Sequence, residues 1–163
     1  MKYLFFITLI VFNSFASPAQ NIGISDFIKI SKLNDSEIEA YLNDKGCKIQ
    51  DIKEDEFGVL TKYYNSKAQY WIGIYSFKDG CKIISSDFQN MTFYNLQKKE
   101  VLNIGYKYTK SEIIKEKISD NGNKYKSIEY VYEKGNEEIS FFTQIFQTNI
   151  QYEIAFHKNC ELK

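Results

Sequence analysis

The chain has 163 residues, of which 17% are aromatic, and its 21 basic residues, all lysine, balance 21 acidic residues at neutral pH. A neutral chain without arginine lacks the residue that most often contacts guanine and phosphate, so its composition argues against a nucleic-acid partner. Its length is enough for one domain with a substantial core.

Residues 1–19 have the pattern of a secretory signal peptide. The basic Lys2 precedes a ten-residue apolar run, and a small, polar stretch follows that ends at Ala19. We predict cleavage after Ala19, a mature chain that begins at Gln20, and a secreted or periplasmic location. The alternative is a buried N-terminal strand. No cysteine follows the apolar run, which argues against a lipoprotein anchor, and no later stretch is long enough for a membrane helix.

Two helix patterns follow in the first half. Residues 25–33 form a short amphipathic segment, and residues 34–46 carry apolar side chains at helical spacing. Ser36 and Glu39 have the spacing of a capping box, which predicts where the second helix begins. Gly46 predicts where it ends, because glycine adopts the left-handed conformation without a steric penalty.

The second half repeats this pattern over residues 90–105, where an apolar helical pattern ends at Gly105. Asn34 and Asn90 each begin a glycosylation sequon. We interpret both as helix-start residues first and as glycan acceptors second, because asparagine is a favoured N-cap residue.

The strand patterns of the two halves are also similar. Residues 62–76 align with residues 129–143 without a gap. The segment between helix and strand is longer in the second half, where Asn121-Gly122 predicts a type I′ hairpin turn. We interpret the two halves as an internal duplication.

These patterns predict an α+β fold of two tandem modules, residues 20–88 and residues 89–163, in one compact unit. Each module is a helix or helix pair followed by about four antiparallel strands, with the helices packed on one face of the sheet. Because helices precede strands, parallel βαβ crossovers are not indicated.

The mature chain contains three cysteines, Cys47, Cys81 and Cys160. Export implies an oxidising compartment, so we predict one disulfide and one free thiol. In a simple meander Cys47 and Cys81 begin the first and fourth strands at opposite ends, which favours a bond from Cys160 to one of them. The spacing matches no metal site and His157 is the single histidine, so no metal or cofactor is expected.

The sequence contains no motif typical of catalysis. It has no nucleophile elbow, no Ser-x-x-Lys pair and no glycine-rich phosphate loop. We therefore predict a protein without enzymatic activity. The alternative, a small hydrolase, would use carboxylates such as Asp87 or Glu129.

One predicted strand carries the clearest functional pattern. Trp71, Tyr75 and Phe77 lie on one of its faces, and isoleucines lie on the other. The aligned strand of the second half is more polar on the corresponding face, although it keeps Phe142. We predict that these four aromatic residues lie on an open sheet face and contact a partner, because Trp and Tyr dominate binding hot spots. In the alternative, the aromatic side chains pack under the helices.

Four stretches of the chain resemble the β-lactamase inhibitor protein family in architecture, namely NDSEIEAYLNDKGCKI with YYNSKAQYWIGIYS, and NLQKKEVLNIGYKY with YVYEKGNEEISFFT. The resemblance covers most of the mature chain and implies two helix-and-sheet modules that present an aromatic sheet surface to an enzyme. The family has a disulfide in each repeat, whereas this chain has three cysteines, and its Cys47 aligns with Tyr106. No contact residue of the family is carried over.

Together these observations predict a secreted or periplasmic, non-enzymatic binding protein of inhibitor or immunity-protein type, with a protein partner. Two other functions fit the same fold. One is an envelope structural or assembly protein, and the other is a module that binds a carbohydrate or lipid on the aromatic face.

Overall fold

The computed structural model describes residues 22–118 and 124–158, and it shows an α+β fold of three helices and one eight-stranded antiparallel sheet. The elements are α1 (Ile24–Ile30), α2 (Asp35–Asp44), β1 (Lys48–Glu54), β2 (Gly58–Asn65), β3 (Tyr70–Phe77), β4 (Lys82–Phe88), α3 (Met91–Asn103), β5 (Lys107–Ile118), β6 (Lys124–Lys134), β7 (Glu137–Ile145) and β8 (Ile150–Lys158). The predicted α+β class with antiparallel strands is confirmed. The predicted signal peptide, the Asn121-Gly122 turn and Cys160 lie outside the described residues. No helix within the described ranges is long and apolar enough to cross a membrane.

The strands form a single sheet in the order β1-β2-β3-β4-β8-β7-β6-β5. β4 and β8 pair at its centre, where Ser85 lies opposite Ala155. β1 and β5 are the two edges. The chain therefore builds one half of the sheet outside-in from β1 to β4, then returns through α3 to build the other half outside-in from β5 to β8.

The core lies between the helices and one face of the sheet, called the helix face. On β3, buried Tyr70, Ile72 and Ile74 alternate with more exposed residues, as a strand with one covered face requires. The fully buried core side chains from the helices and the other strands include Phe27, Ile30, Leu42, Val101, Ile139, Phe141, Ile154 and Phe156.

The helices α2 and α3 begin at asparagine caps, as predicted, whereas α1 begins at Gly23. The Asn34 side chain accepts a hydrogen bond from the backbone N–H of Glu37, and the Asn90 side chain accepts one from Phe93. The predicted capping box of Ser36 and Glu39 is wrong. Asn34 is two residues earlier and its side chain is an equally good acceptor, so Ser36 lies inside the first turn and its hydroxyl donates to Asn34 Oδ1 at 2.7 Å.

Both long helices end in the same way, at the predicted glycines. Gly46 has φ +81° and Gly105 has φ +94°, in the left-handed region that favours glycine. In each case a side chain from a strand then donates to the last carbonyl of the helix end. Asn65 Nδ2 lies 2.9 Å from the carbonyl oxygen of Lys45, and Lys134 Nζ lies 2.7 Å from that of Ile104.

The predicted gapless alignment of residues 62–76 with residues 129–143 is wrong. These residues belong to the hairpins β2–β3 and β6–β7. Ile72 pairs with Tyr63 on the neighbouring strand, whereas Ile139, which corresponds to Ile72, pairs with Tyr132. The turn of the first hairpin is two residues longer than that of the second. Superposing the halves therefore needs a two-residue gap at this turn.

The cysteines fall into different surroundings. Cys47 is a free, buried thiol whose Sγ lies 3.4 Å from the Tyr70 hydroxyl. Cys81 is disulfide-bonded. Cys160 is the third cysteine of the chain and lies outside the described residues, so its bond to Cys81 stays a prediction.

One lysine of α3 packs against aromatic rings of the helix face. Lys98 Nζ lies 3.3 Å from the ring centroid of Tyr130 and 4.7 Å from that of Tyr94. The side chain is partly buried, and this burial lowers the pKa of Lys98 to about 8.

Candidate functional site

The face of the sheet opposite the helices, called the open face, carries all four predicted partner residues. Trp71 is 43% exposed, and Tyr75, Phe77 and Phe142 are each half-buried. The facing predicted for the aromatic strand therefore agrees with the structure, since the isoleucines of β3 are buried in the core together with side chains of the helices.

The aromatic side chains of the first half contact one another in pairs. Tyr64 on β2 lies across from Trp71, with ring centroids 4.7 Å apart, and Tyr75 lies 4.6 Å from Phe77. The Tyr75 hydroxyl also donates a hydrogen bond to Asp55, which raises the pKa of Tyr75 to about 12 and lowers the pKa of Asp55. These contacts hold the rings in place on the surface.

A line of small residues crosses the centre of the open face. Gly73, Ser85, Ala155 and Ser140 lie side by side on β3, β4, β8 and β7, because Ser85 pairs with both Gly73 and Ala155, and Ala155 pairs with Ser140. Large side chains flank this line on both sides. The result is a trough of small residues that runs across the strands.

One flank of the trough has an ordered chemical pattern. Trp71, Asp87, Glu153 and Phe142 occupy the same four strands in register, so that two carboxylates lie between two aromatic rings. Loss of solvation raises the pKa of Asp87, while the charge of Lys62 acts in the opposite direction. Asp87 keeps exposed surface, and its contact with solvent limits this shift.

The open face of the second half is acidic. The Ser140 hydroxyl lies 2.8 Å from Glu129 Oε1 and 3.2 Å from Glu138 Oε1, and the same Glu138 oxygen lies 2.7 Å from His157 Nε2. Because a carboxylate can only accept, His157 Nε2 donates in that contact. The face is thus aromatic in one half and rich in carboxylates in the other.

The carboxylates named as hydrolase candidates lie far apart. β8 and β7 separate β4, which carries Asp87, from β6, which carries Glu129. Three strand spacings of about 4.8 Å place their backbones about 14 Å apart. This is wider than the carboxyl separation in glycosidases, which is at most roughly 9.5 Å.

An open groove of about 950 Å³ lies at one end of the open face, next to Trp71. Its lining includes the aromatic pair, one carboxylate and four amides, contributed by Tyr64, Trp71, Asp87, Gln69, Gln89, Asn90 and Gln151. The sequence predicted Trp71 as a partner residue and named Asp87 only as a possible hydrolase carboxylate, and it did not indicate the other lining residues. The pairing of residues on neighbouring strands brings these side chains together, and local sequence patterns do not show this pairing.

No group of three or more His, Cys, Asp or Glu side chains within the described ranges is arranged to hold a metal ion. Comparisons of the chain with protein-family models, with curated proteins and with solved structures found no match.

Proposed function

We propose that the protein is a secreted or periplasmic, non-enzymatic binding protein of inhibitor or immunity-protein type that contacts a protein partner through the open face. The observation that carries this proposal is the aromatic row on a sheet face that the helices leave uncovered. Trp71 in particular offers a large apolar surface at 43% exposure, and Trp and Tyr are the residues most often found as binding anchors.

The charge of the open face supports a partner whose contact surface is basic on one side and apolar on the other. Glu129, Glu138 and Glu153 make its second half acidic, whereas Trp71 and Tyr75 make its first half aromatic. A complementary partner surface presents lysine or arginine opposite the carboxylates and an apolar patch opposite the rings. Such a complex forms more slowly as the salt concentration rises, because salt screens the attraction between the partners.

Site-specific photo-crosslinking tests the location of the contact. A photoreactive amino acid at Ile83, which is 39% exposed on the open face, should capture a protein from a secreted or periplasmic extract of the source organism. The same amino acid at Glu39, exposed on α2, is the control and should not capture it. Equal capture from both positions would contradict a contact through the open face.

The energetic role of Trp71 is tested with the captured partner. Trp71→Ala should weaken binding at least roughly 30-fold, since truncating a buried interface anchor costs about 2–4 kcal/mol. Leu96→Ala removes a side chain of similar exposure, 55%, from α3 and should leave binding unchanged. If Trp71→Ala binds as tightly as the unmodified protein, the proposed function is wrong.

Export is part of the proposal and has its own measurement. Mass spectrometry of the native protein should show an N-terminus at Gln20, after removal of residues 1–19. An intact Met1 in a soluble cytoplasmic fraction would contradict export.

We also propose that the two halves are copies of one module, as the architecture of the β-lactamase inhibitor protein family implies. Matching contacts after each helix support this. Cys47 follows Gly46 and lies against Tyr70, while Tyr106 follows Gly105 and donates to Glu137 at 2.6 Å. In the first half the tyrosine of the pair lies on the strand and the smaller cysteine follows the helix. In the second half the tyrosine follows the helix and the glutamate lies on the strand, so the two pairs fill the same position of the module in different ways.

A further inference from the structure

A hydrogen-bonded turn forms one rim of the groove beside Trp71. Gln69 is the non-glycine residue with positive φ, +54°, among the described residues. Non-glycine residues seldom adopt this conformation unless surrounding contacts hold them there. Here Gln69 N–H donates to the Asn65 carbonyl oxygen at 2.8 Å, while the Asn65 side chain accepts hydrogen bonds from Lys67 N and Ala68 N. The turn is therefore fixed in a shape that presents Gln69 at the groove.

The polar groups of the groove suit hydroxyl groups. Gln69, Gln89 and Gln151 each offer donors and an acceptor, and the Asp87 carboxylate can accept from two hydroxyls at once. The Asp87 carboxylate is exposed and accepts no hydrogen bond from another residue in the described ranges, although the charge of Lys62 acts on it, so it can accept from a ligand. None of the described residues that line the groove is basic, and Asp87 repels an anion, so a phosphate or an acidic ligand does not fit.

The apolar part of the groove suits a flat face of C–H groups. Tyr64 and Trp71 are adjacent rings inclined by 35°, and together they make a platform on one wall. A lipid chain would use this platform but would leave the carboxylate and the amides without partners, which is unfavourable. A ligand that has both an apolar ring face and hydroxyls at its edge uses both parts of the lining.

We propose that this groove binds a neutral oligosaccharide, with one sugar ring stacked on Trp71 and its hydroxyls hydrogen-bonded to Asp87 and Gln151. The volume of about 950 Å³ is at the upper end for small-molecule sites and accommodates more than a single sugar ring. This sugar site is an addition to the proposed protein contact, and the two share Trp71. Gln69, Gln89 and Gln151 line the groove and are not part of the proposed protein contact.

The single tryptophan of the chain gives a direct measurement. We would titrate the full chain with an array of neutral oligosaccharides that contains glucose, galactose, mannose and N-acetylglucosamine chains, and follow Trp71 emission and binding heat. At least one chain type should bind with a Kd of about 1 mM or tighter and shift the emission to the blue, because a stacked ring excludes water from the indole.

Variants test the assigned contacts. Asp87→Ala and Gln151→Ala keep the fluorophore and should each weaken binding about tenfold or more, since each leaves sugar hydroxyls without a partner. Phe77→Ala changes the open face outside the groove and should bind the sugar as the unmodified protein does. Equal loss in Phe77→Ala, or no loss in Asp87→Ala, would show that the sugar does not occupy the groove.

The outcomes separate this inference from the proposed function. If no neutral oligosaccharide binds, the saccharide site is wrong, while loss of the captured protein partner in Trp71→Ala would still support the protein contact. If a sugar binds and Trp71→Ala keeps the protein partner, the saccharide site stands and the protein contact through Trp71 is wrong.

Discussion

Replacing Lys98 with methionine should make the protein more stable at neutral pH. The amine of Lys98 is partly buried over Tyr130 and Tyr94, and no carboxylate within the described ranges pairs with it. Methionine fills similar space with a flexible apolar side chain and carries no charge. The substitution therefore removes the cost of keeping an ammonium group out of water.

The size of the effect follows from the displaced pKa. A fall from 10.5 to about 8 corresponds to roughly 3 kcal/mol at about 1.4 kcal/mol per unit, as an upper bound. Two effects make the gain in stability smaller than this upper bound. The side chain keeps some contact with solvent, and an ammonium over an aromatic ring gains about 0.5–1 kcal/mol. We expect Lys98→Met to raise the free energy of unfolding by about 1–2 kcal/mol at pH 7.

The pH dependence distinguishes this explanation from better packing alone. Because the pKa of Lys98 is lower in the folded state, the folded protein binds fewer protons than the unfolded chain between about pH 8 and pH 10.5. The stability of the unmodified protein therefore rises through this window relative to that of Lys98→Met. The difference between the two should shrink mainly from about pH 8 to pH 9.5, and the tyrosines of the unfolded chain, which ionise near pH 10, affect both proteins equally.

Urea unfolding at a series of pH values measures this difference directly. Lys99→Met is the matched control, since Lys99 is the exposed neighbour and its removal changes the net charge equally. Its curve should run parallel to that of the unmodified protein. A stability difference for Lys98→Met that stays constant from pH 7 to pH 9.5 would refute the explanation by a buried charge.

One further measurement and one further substitution test the fold. Peptide mapping without reduction should find Cys81 joined to Cys160 and Cys47 as a free thiol, and three free thiols in exported protein would contradict the predicted compartment. Gly58→Ala should lower the free energy of unfolding by about 2 kcal/mol or more, because a Cβ at Gly58 would lie 2.2 Å from the backbone oxygen of Ser76. Urea titration checks this, and an unchanged midpoint would mean that β2 and β3 can separate locally without cost.

Local patterns predicted the helices well because each signal is contained within one turn. Gly46, Gly105, Asn34 and Asn90 all act as predicted, since a cap depends on neighbours within about four residues. The cap was wrongly assigned to Ser36 because Asn34, two positions earlier, is an equally good acceptor. Where several acceptors lie close together, sequence alone does not rank them.

Patterns that depend on pairing were harder to predict. Alternation within β3 separated the aromatic side chains from the isoleucines, and the more polar aligned strand of the second half indicated which face is open. By contrast, the neighbours of Trp71 on the open face, Tyr64 and Asp87, are set by the registers of two hairpins, and turn lengths decide those registers. The sequence therefore indicated Trp71 and Asp87 separately, in different roles, and the structure was needed to show that they are neighbours.

The central pairing of β4 with β8 has a consequence for when this chain can fold. Ser85 and Ala155 meet although 70 positions separate them, and β8 also supplies the partner for β7. β8 follows every other strand of the described residues, so the two halves of the sheet stay unjoined until β8 has been synthesised. Contacts between such distant segments form slowly, because the entropy of closing the intervening chain is lost before the contacts form. Such late joining suits the export that we propose, because it delays completion of the sheet during synthesis.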